Sequence, residues 1–464
     1  MARKKIREYS SKSLLKQHLA SLCNERLNLK MVQVQQGSLS LVELMTLPAH
    51  SWLQSTKLVV KPDMLFGKRG KNNLVLLNAT VVEADQFIKE RMGKSVTISG
   101  KTGPVTHFIV EPFVPHAVEY YLSVVAKRDV NTISFSSCGG MEIEELWDKV
   151  KSVDIAYGDS IDTVNLHEIV DNTIQNREYI IDFIKNVYKI FEELSFHFIE
   201  MNPFTLDQDG KPFPLDMRGE IDECASFKCG NKWMVDGDPI QFPQPFGREL
   251  FQEETFINDI DEKTGASLKL TLLNPTGRIW AMVAGGGASV IYADTVADLG
   301  YGHELGNYGE YSGDPNEEDT NKYASTMLSL ATRNPDGRPR ALLIGGGIAN
   351  FTDVAVTFKG IIHAIKQYSD EIVRSNLHIF VRRGGPNYQS GLQHMREIGH
   401  KLQVPIKVFG PEVNMTSIVS MAIQHINTSP NIDPSTALKN HSNGNGNGNT
   451  NGNGSSNGNS PITV

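Results

Sequence analysis

Two rhythms of apolar and polar residues divide this chain. Before about residue 245, short β-rich runs follow one another: "NLVLLN" (73–78), "FIVEPFV" (108–114), "EYYLSVVAKRD" (119–129) and "TISFSS" (132–137). The last three follow one another through short turns, and the strands look antiparallel. A helical stretch over 173–194 precedes another strand pair, so this half is expected to be α+β. Near "PQPFGRELF", Pro243 to Phe251, the pattern changes. "RIWAMVAGGG", "RALLIGGG", "HIFVRRGGP" and "IKVFGPE" are apolar runs that each enter glycine, with helical stretches between them at 320–333, 352–368 and 388–400. Strand, glycine turn and helix in repetition predict an α/β domain with a doubly wound, flavodoxin-like parallel sheet. The expected domains are therefore 1–245 and 246–429. Residues 430–464 are expected to be disordered, because "SNGNGNGNTNGNGSSNGNS" (442–460) has nothing apolar to bury.

Composition narrows the classes without choosing among them. Hydrophobic residues make up 40% and charged residues 21% of 464, an ordinary globular balance. No apolar run approaches the roughly 18 residues that span a bilayer. A net charge of -8 argues against nucleic acid as the main ligand. Cys23, Cys138, Cys224 and Cys229 are scattered, which suits a reducing compartment better than a disulfide framework or a zinc site. The basic first stretch fits either a presequence or an amphipathic helix with Leu14, Leu15 and Leu19 on one face.

The glycine turns carry the first candidate chemistry. "VAGGGAS" is neither a Walker A loop nor a dinucleotide fingerprint. Gly285, Gly286 and Gly287 nevertheless leave backbone N–H groups open beside a helix start, where an anion is favoured. "GGGIANFTD" adds Asn350 and Thr352 near a second helix start, where such residues also serve as caps. "VRRGGPN" puts Arg382 and Arg383 at a strand end, and strand alternation predicts that only one faces the other turns. Guanidinium beside anion-accepting turns suggests a polycarboxylate or phosphate site.

The first half carries a different pattern. Lys61 ends a strand and is followed by a basic glycine loop with Gly67, Lys68, Arg69 and Gly70, suited to triphosphate oxygens. In "IEMNPFTLDQDGKPFPLDM", a hairpin symmetric about Asp209 pairs Asn202 with Asp216 and sets Glu200 on the Asn202 face. Hard oxygen ligands so placed suit magnesium between protein and phosphates. In "IVEPFVPHAVEYY", backbone atoms of Pro112 to Val114 can meet an adenine edge and Glu119 can accept ribose hydroxyls. Glu111 and Glu119 could equally be surface acids.

These pieces resemble the ATP-citrate lyase family, in the subunit that carries the nucleotide and citrate domains. The likeness spans about residues 1–428 through "LVVKPD", "KRGK", "VEPFVPH", "PFGRE", "TGASLKLTLLNPTGRIWAMVAGGGAS", "NYGEYSG" and "FVRRGGPNYQ". The β subunit of succinyl-CoA synthetase is more distantly similar. The resemblance implies an ATP-grasp domain followed by a CoA-ligase-type, citrate-binding domain. It implies ATP contacts at Lys61, Arg69, Gly70, Pro112, Val114 and Glu119. Metal positions would be Asn202 and Asp216, with a second stretch at Asp261, Thr264 and Ala266. Citrate would meet Gly285, Gly286, Gly287, Gly313, Asn350, Thr352, Tyr368 and Arg383. The implied cofactors are ATP and Mg2+, with citrate and CoA as substrates. No loop resembling the family's phosphohistidine site is found in the chain. That histidine, much of the CoA site and the lyase domain are expected on a companion subunit. The resemblance matches "REYSSKSLLKQHL" to the family's first helix and places the protein in the cytosol. Two rivals stay open: another acyl-CoA synthetase β subunit, or a non-catalytic citrate sensor.

Overall fold

A computed structural model describes residues 3–140 and 143–428. The expected disordered tail, 430–464, lies outside the described residues. Contacts divide the chain between Glu249 and Leu250, four residues past the 245/246 boundary read from sequence.

The first unit is built on two antiparallel sheets. Its elements are β1 (Arg3–Ile6), α1 (Glu8–Leu22), β2 (Val32–Gln35), β3 (Leu58–Pro62), β4 (Leu76–Ala79) and β5 (His107–Pro112). They continue with β6 (Tyr120–Ala126), β7 (Val130–Ser136), β8 (Lys151–Ala156), α2 (Arg177–Glu193), β9 (Phe196–Leu206) and β10 (Met217–Asp222). One sheet runs β1-β10-β9-β6-β7-β8, the other β2-β5-β3-β4. Leu14, Leu15 and Leu19 of α1 are buried on one face, as the leucine spacing predicts. They share a core with Ile180, Ile184 and Val187 of α2 and with the inward residues of β6, β9 and β10. The hairpin symmetry about Asp209 is realised: Met201 lies opposite Met217 and Phe204 opposite Pro214.

The second unit is a three-layer α/β fold. Its elements are α3 (Gln252–Lys263), β11 (Ser267–Leu272), β12 (Ile279–Ala284), α4 (Gly286–Asp298), β13 (Asn307–Ser312) and α5 (Glu317–Thr332). Then follow β14 (Arg340–Gly346), α6 (Val354–Gln367), β15 (Leu377–Arg382), α7 (Tyr388–Leu402), β16 (Ile406–Phe409) and α8 (Ser417–Ile426). The sheet order is β11-β13-β12-β14-β15-β16, with β11 antiparallel at the edge. Numbered among themselves, the parallel strands run 2-1-3-4-5, the flavodoxin order. Central strands β12 and β14 are buried throughout and therefore read as continuous apolar runs. Alternate residues serve opposite layers. Trp280, Met282, Leu342 and Ile344 pack with α3, α5, α6 and α7, while Ile279, Ala281, Val283 and Leu343 pack with α4 and α8. Strand order reverses between β12 and β14, which puts the ligand-accepting crevice beyond their carboxyl ends.

Candidate functional site

In the first unit, three cations and three carboxylates close on one another. Lys61 ends β3 with its ammonium 2.6 Å from Glu8 Oε1 and 3.0 Å from Glu111 Oε2, and it also donates to the Leu215 carbonyl. Lys12, one turn along α1 from Glu8, lies 2.8 Å from Glu8 Oε1 and 2.7 Å from Glu111 Oε1. Arg69 reaches Glu8 Oε2 and Asp216 Oδ1, both at 2.7 Å, and donates to Pro62 O at 3.0 Å. Burial by itself would raise the Glu8 carboxyl, but Lys12, Lys61 and Arg69 hold it well below the usual carboxylate range. Burial also works against the charge on Arg69, and Asp216 and Glu8 outweigh it, so its pKa rises. Lys61 is raised in the same way by Glu111 and Glu8. Charges this buried persist because each is paired.

The hinge and the hairpin join this cluster. Pro112 closes β5, and Val114 packs against the core of the first unit. Glu119 stands before β6 with Oε1 3.1 Å from His116 Nε2, while His116 Nδ1 lies 2.7 Å from Val114 O. Gly140, at φ +93°, passes so close that a Cβ there would lie 2.2 Å from Glu119 Oε2. Its N–H donates to Asn202 Oδ1 at 2.9 Å, and Asn202 N–H donates to Asp216 O at 3.0 Å. The structure thus brings Lys61, Arg69, Glu119, Asn202 and Asp216 into one connected set. Gly70 opens an exposed 3-10 turn, Gly70–Asn72, beside it. Glu111 is a buried partner of two lysines rather than a surface acid. Glu8 and Lys12 escaped the sequence reading, although their i,i+4 spacing is the signal of a helix pair.

In the second unit, the glycines gather at the switch point. Gly285, at φ +100°, turns β12 into α4, whose first residues are Gly286 and Gly287. Gly313, at φ +74°, follows β13 on the same edge. After β14, a Cβ at Gly346 would lie 2.7 Å from Arg383 Nη1, and one at Gly345 would lie 2.4 Å from the Tyr292 ring. The glycines therefore admit a buried guanidinium and a tyrosine against the turn. Arg383 donates to Gly347 O at 2.8 Å, and Arg382 donates to Gly346 O at 3.0 Å. Both arginines are buried, with different partners: Arg382 also donates to Val413 O and Pro411 O, while Arg383 lies beside Tyr311.

Two further expectations change. Asp353, not Asn350 or Thr352, caps α6, accepting from Ala355 N–H at 2.8 Å and Val356 N–H at 3.1 Å. Asn350 is thereby left exposed in the turn and Thr352 buried beside it. Tyr368 is not brought to this cluster: it follows the last residue of α6, about 20 Å along the helix from Thr352. Asp261, Thr264 and Ala266 lie where α3 passes into β11. Asp261 accepts from Leu268 N–H at 2.7 Å and pairs with Lys269, which clips α3 to β11. Among the described residues, no group of three or more His, Cys, Asp or Glu is placed to hold a metal.

Comparison with known proteins follows this division. Residues 2–233 match the ATP-citrate synthase ATP-grasp domain, and residues 248–425 match the ATP citrate lyase citrate-binding domain. The class is therefore a nucleotide-grasping domain followed by a citrate-binding, parallel-sheet domain. ATP-citrate synthase alpha chain protein 2 of Arabidopsis thaliana is 56% identical over 92% of this chain and 99% of its own length. ATP-citrate synthase of Homo sapiens is 46% identical over 84% of this chain, which spans 35% of that protein. The structure of ATP citrate lyase from Methanothrix soehngenii in complex with citrate and coenzyme A superposes with a TM-score of 0.83. It is 44% identical, covering 91% of this chain and 100% of that one. This chain belongs to the ATP-citrate synthase family.

Proposed function

We propose that the chain supplies the ATP and citrate sites of a heteromeric ATP-citrate synthase. The enzyme converts citrate, CoA and ATP into acetyl-CoA, oxaloacetate, ADP and phosphate. A separate subunit supplies the phosphohistidine, much of the CoA site and the lyase domain. The supporting observation is what gathers at the strand ends by the β12/β14 switch point: the start of α4 at Gly286, Gly313 after β13, and buried Arg383 against the Gly346 turn. The anion that fits is citrate. Its three carboxylates need several donors and a cation, and this crevice provides both. A carboxylate is a poor electrophile, so citrate must be activated as citryl-phosphate before CoA can attack.

In the first unit, Lys61 and Arg69 neutralise the polyphosphate, Gly70 lets the loop approach it, and Pro112, Val114 and Glu119 take the nucleoside. Phosphate oxygens displace internal partners that Lys61 and Arg69 hold in the free chain. The hard oxygens of Asn202 and Asp216 fit magnesium, with phosphates and water completing its shell. Bound there, the ion supplies charge neutralisation for phosphoryl transfer. We place the activity in the cytosol, where its acetyl-CoA feeds lipid synthesis.

The test is co-expression with the companion subunit and an oxaloacetate assay that omits ATP, CoA and citrate in turn. The expected result is activity that needs all three. Turnover of succinate or malate in place of citrate would overturn the substrate assignment.

A further inference from the structure

His116 sits between two groups that the proposed nucleotide reading uses separately. Its Nδ1 lies 2.7 Å from the carbonyl of Val114, and its Nε2 lies 3.1 Å from Glu119 Oε1. A carbonyl and a carboxylate only accept hydrogen bonds. The imidazole therefore supplies the donor side of these contacts and bridges the two groups. On its other side, Glu119 Oε2 meets Gly140, where a Cβ would lie at 2.2 Å. Its backbone carbonyl accepts from Gly139 N–H at 2.8 Å. The carboxylate, 38% exposed, is thus bracketed by an imidazole and a glycine turn that itself binds Asn202 Oδ1. A glutamate at a strand entrance would ordinarily sample several rotamers, and holding it in one removes that entropy before a ligand arrives.

We propose that His116 is a positioning residue that locks Glu119 in the orientation that receives the ribose hydroxyls, and ties it to the Val114 segment that faces the base. This rests on the reading of Glu119 as the ribose acceptor. His116 needs no contact with the nucleotide to act. Removing it should loosen ribose recognition without touching the citrate pocket.

The experiment uses the full chain with magnesium and measures dissociation constants for ADP, 2′-deoxy-ADP and 3′-deoxy-ADP by calorimetry, with citrate as a control. The wild-type chain should bind ADP about tenfold or more tighter than the analogue lacking the accepted hydroxyl. Glu119→Gln should lose most of that preference. His116→Ala should reduce it to within about threefold, with citrate affinity and melting temperature unchanged. A purely structural histidine would not alter a ratio between two nucleotides that differ by one hydroxyl. If His116→Ala keeps the full preference while Glu119→Gln loses it, the positioning role is overturned and the ribose reading stands. If Glu119→Gln keeps it, or the wild type shows none, the ribose reading itself falls and His116 with it.

Discussion

Arg383 and Asp216 separate the two proposed sites at the level of single side chains. Arg383 is buried and anchored on Gly347 O, which fixes its guanidinium beside the Gly346 turn. Arg383→Ala should weaken citrate binding about 100-fold and leave magnesium-ADP binding within about twofold, measured by calorimetry. Asp216→Ala should do the reverse, weakening magnesium-ADP by about tenfold or more with citrate nearly unchanged. Equal effects on both ligands from either variant would contradict the two-site assignment. Gly345 tests the packing that holds Arg383. A methyl there would meet the Tyr292 ring at 2.4 Å, inside a fully buried strand. Gly345→Ala should cost about 1–3 kcal/mol in denaturant unfolding. The tyrosine was invisible from sequence, because nothing in "VIYAD" says which loop its ring will meet.

Buried titratable groups at two places, α1 and the β15–α8 contact, carry pH dependence. Helix α1 was legible through its leucines, yet the same buried face, nearer the N-terminus, carries Glu8 and Lys12 into the nucleotide cluster. Glu8 ionises far more readily folded than unfolded, so its contribution is present at neutral pH. It is lost as pH falls below the ordinary value of 4.5. Glu8→Gln leaves three buried cations short of a counterion. It should cost about 3 kcal/mol at pH 7 and flatten the stability curve in that acid range. Strand β15 and helix α8 meet through His378 and His425, whose rings stack at 3.6 Å. Burial, then His425 and Lys407, push His378 down to about 4. Because the unfolded chain takes up that proton first, stability should decline from about pH 6.5 toward pH 4. His378→Phe keeps the apolar stack and removes this titration. Its unfolding free energy, followed across that window, should show a shallower slope, the remainder belonging to His107 and His425, which burial also lowers.

At the scale of the whole molecule, ligand effects should be local to one unit. Citrate at 100 times its dissociation constant should stabilise the second unit by about 2.7 kcal/mol. Hydrogen exchange should report this as protection around Gly285–Gly287 and 346–352, and Arg383→Ala should abolish it at the same citrate concentration. Protection confined to the first unit would place citrate elsewhere. The switch-point rule made the location of this crevice readable before any coordinates, since each glycine follows an apolar strand. The residues it gathers were only partly readable. Tyr368 resembles a family contact in sequence, yet the length of α6 carries it to the far end of the helix.

The order of apolar runs and glycine punctuation determined the two architectures, the hairpin about Asp209 and the flavodoxin sheet, because these depend on local periodicity and turn chemistry. Lys61, Arg69, Asp216 and the glycine turns were readable for the same reason: each ends or punctuates an element. Tertiary structure alone decided which groups share a charge. Glu8 and Glu111 are 103 positions apart and meet only when β5 lies beside α1, and no spacing rule reports contacts between distant segments. It also decided that both arginines are buried, because the loops that cover a strand end come from distant segments.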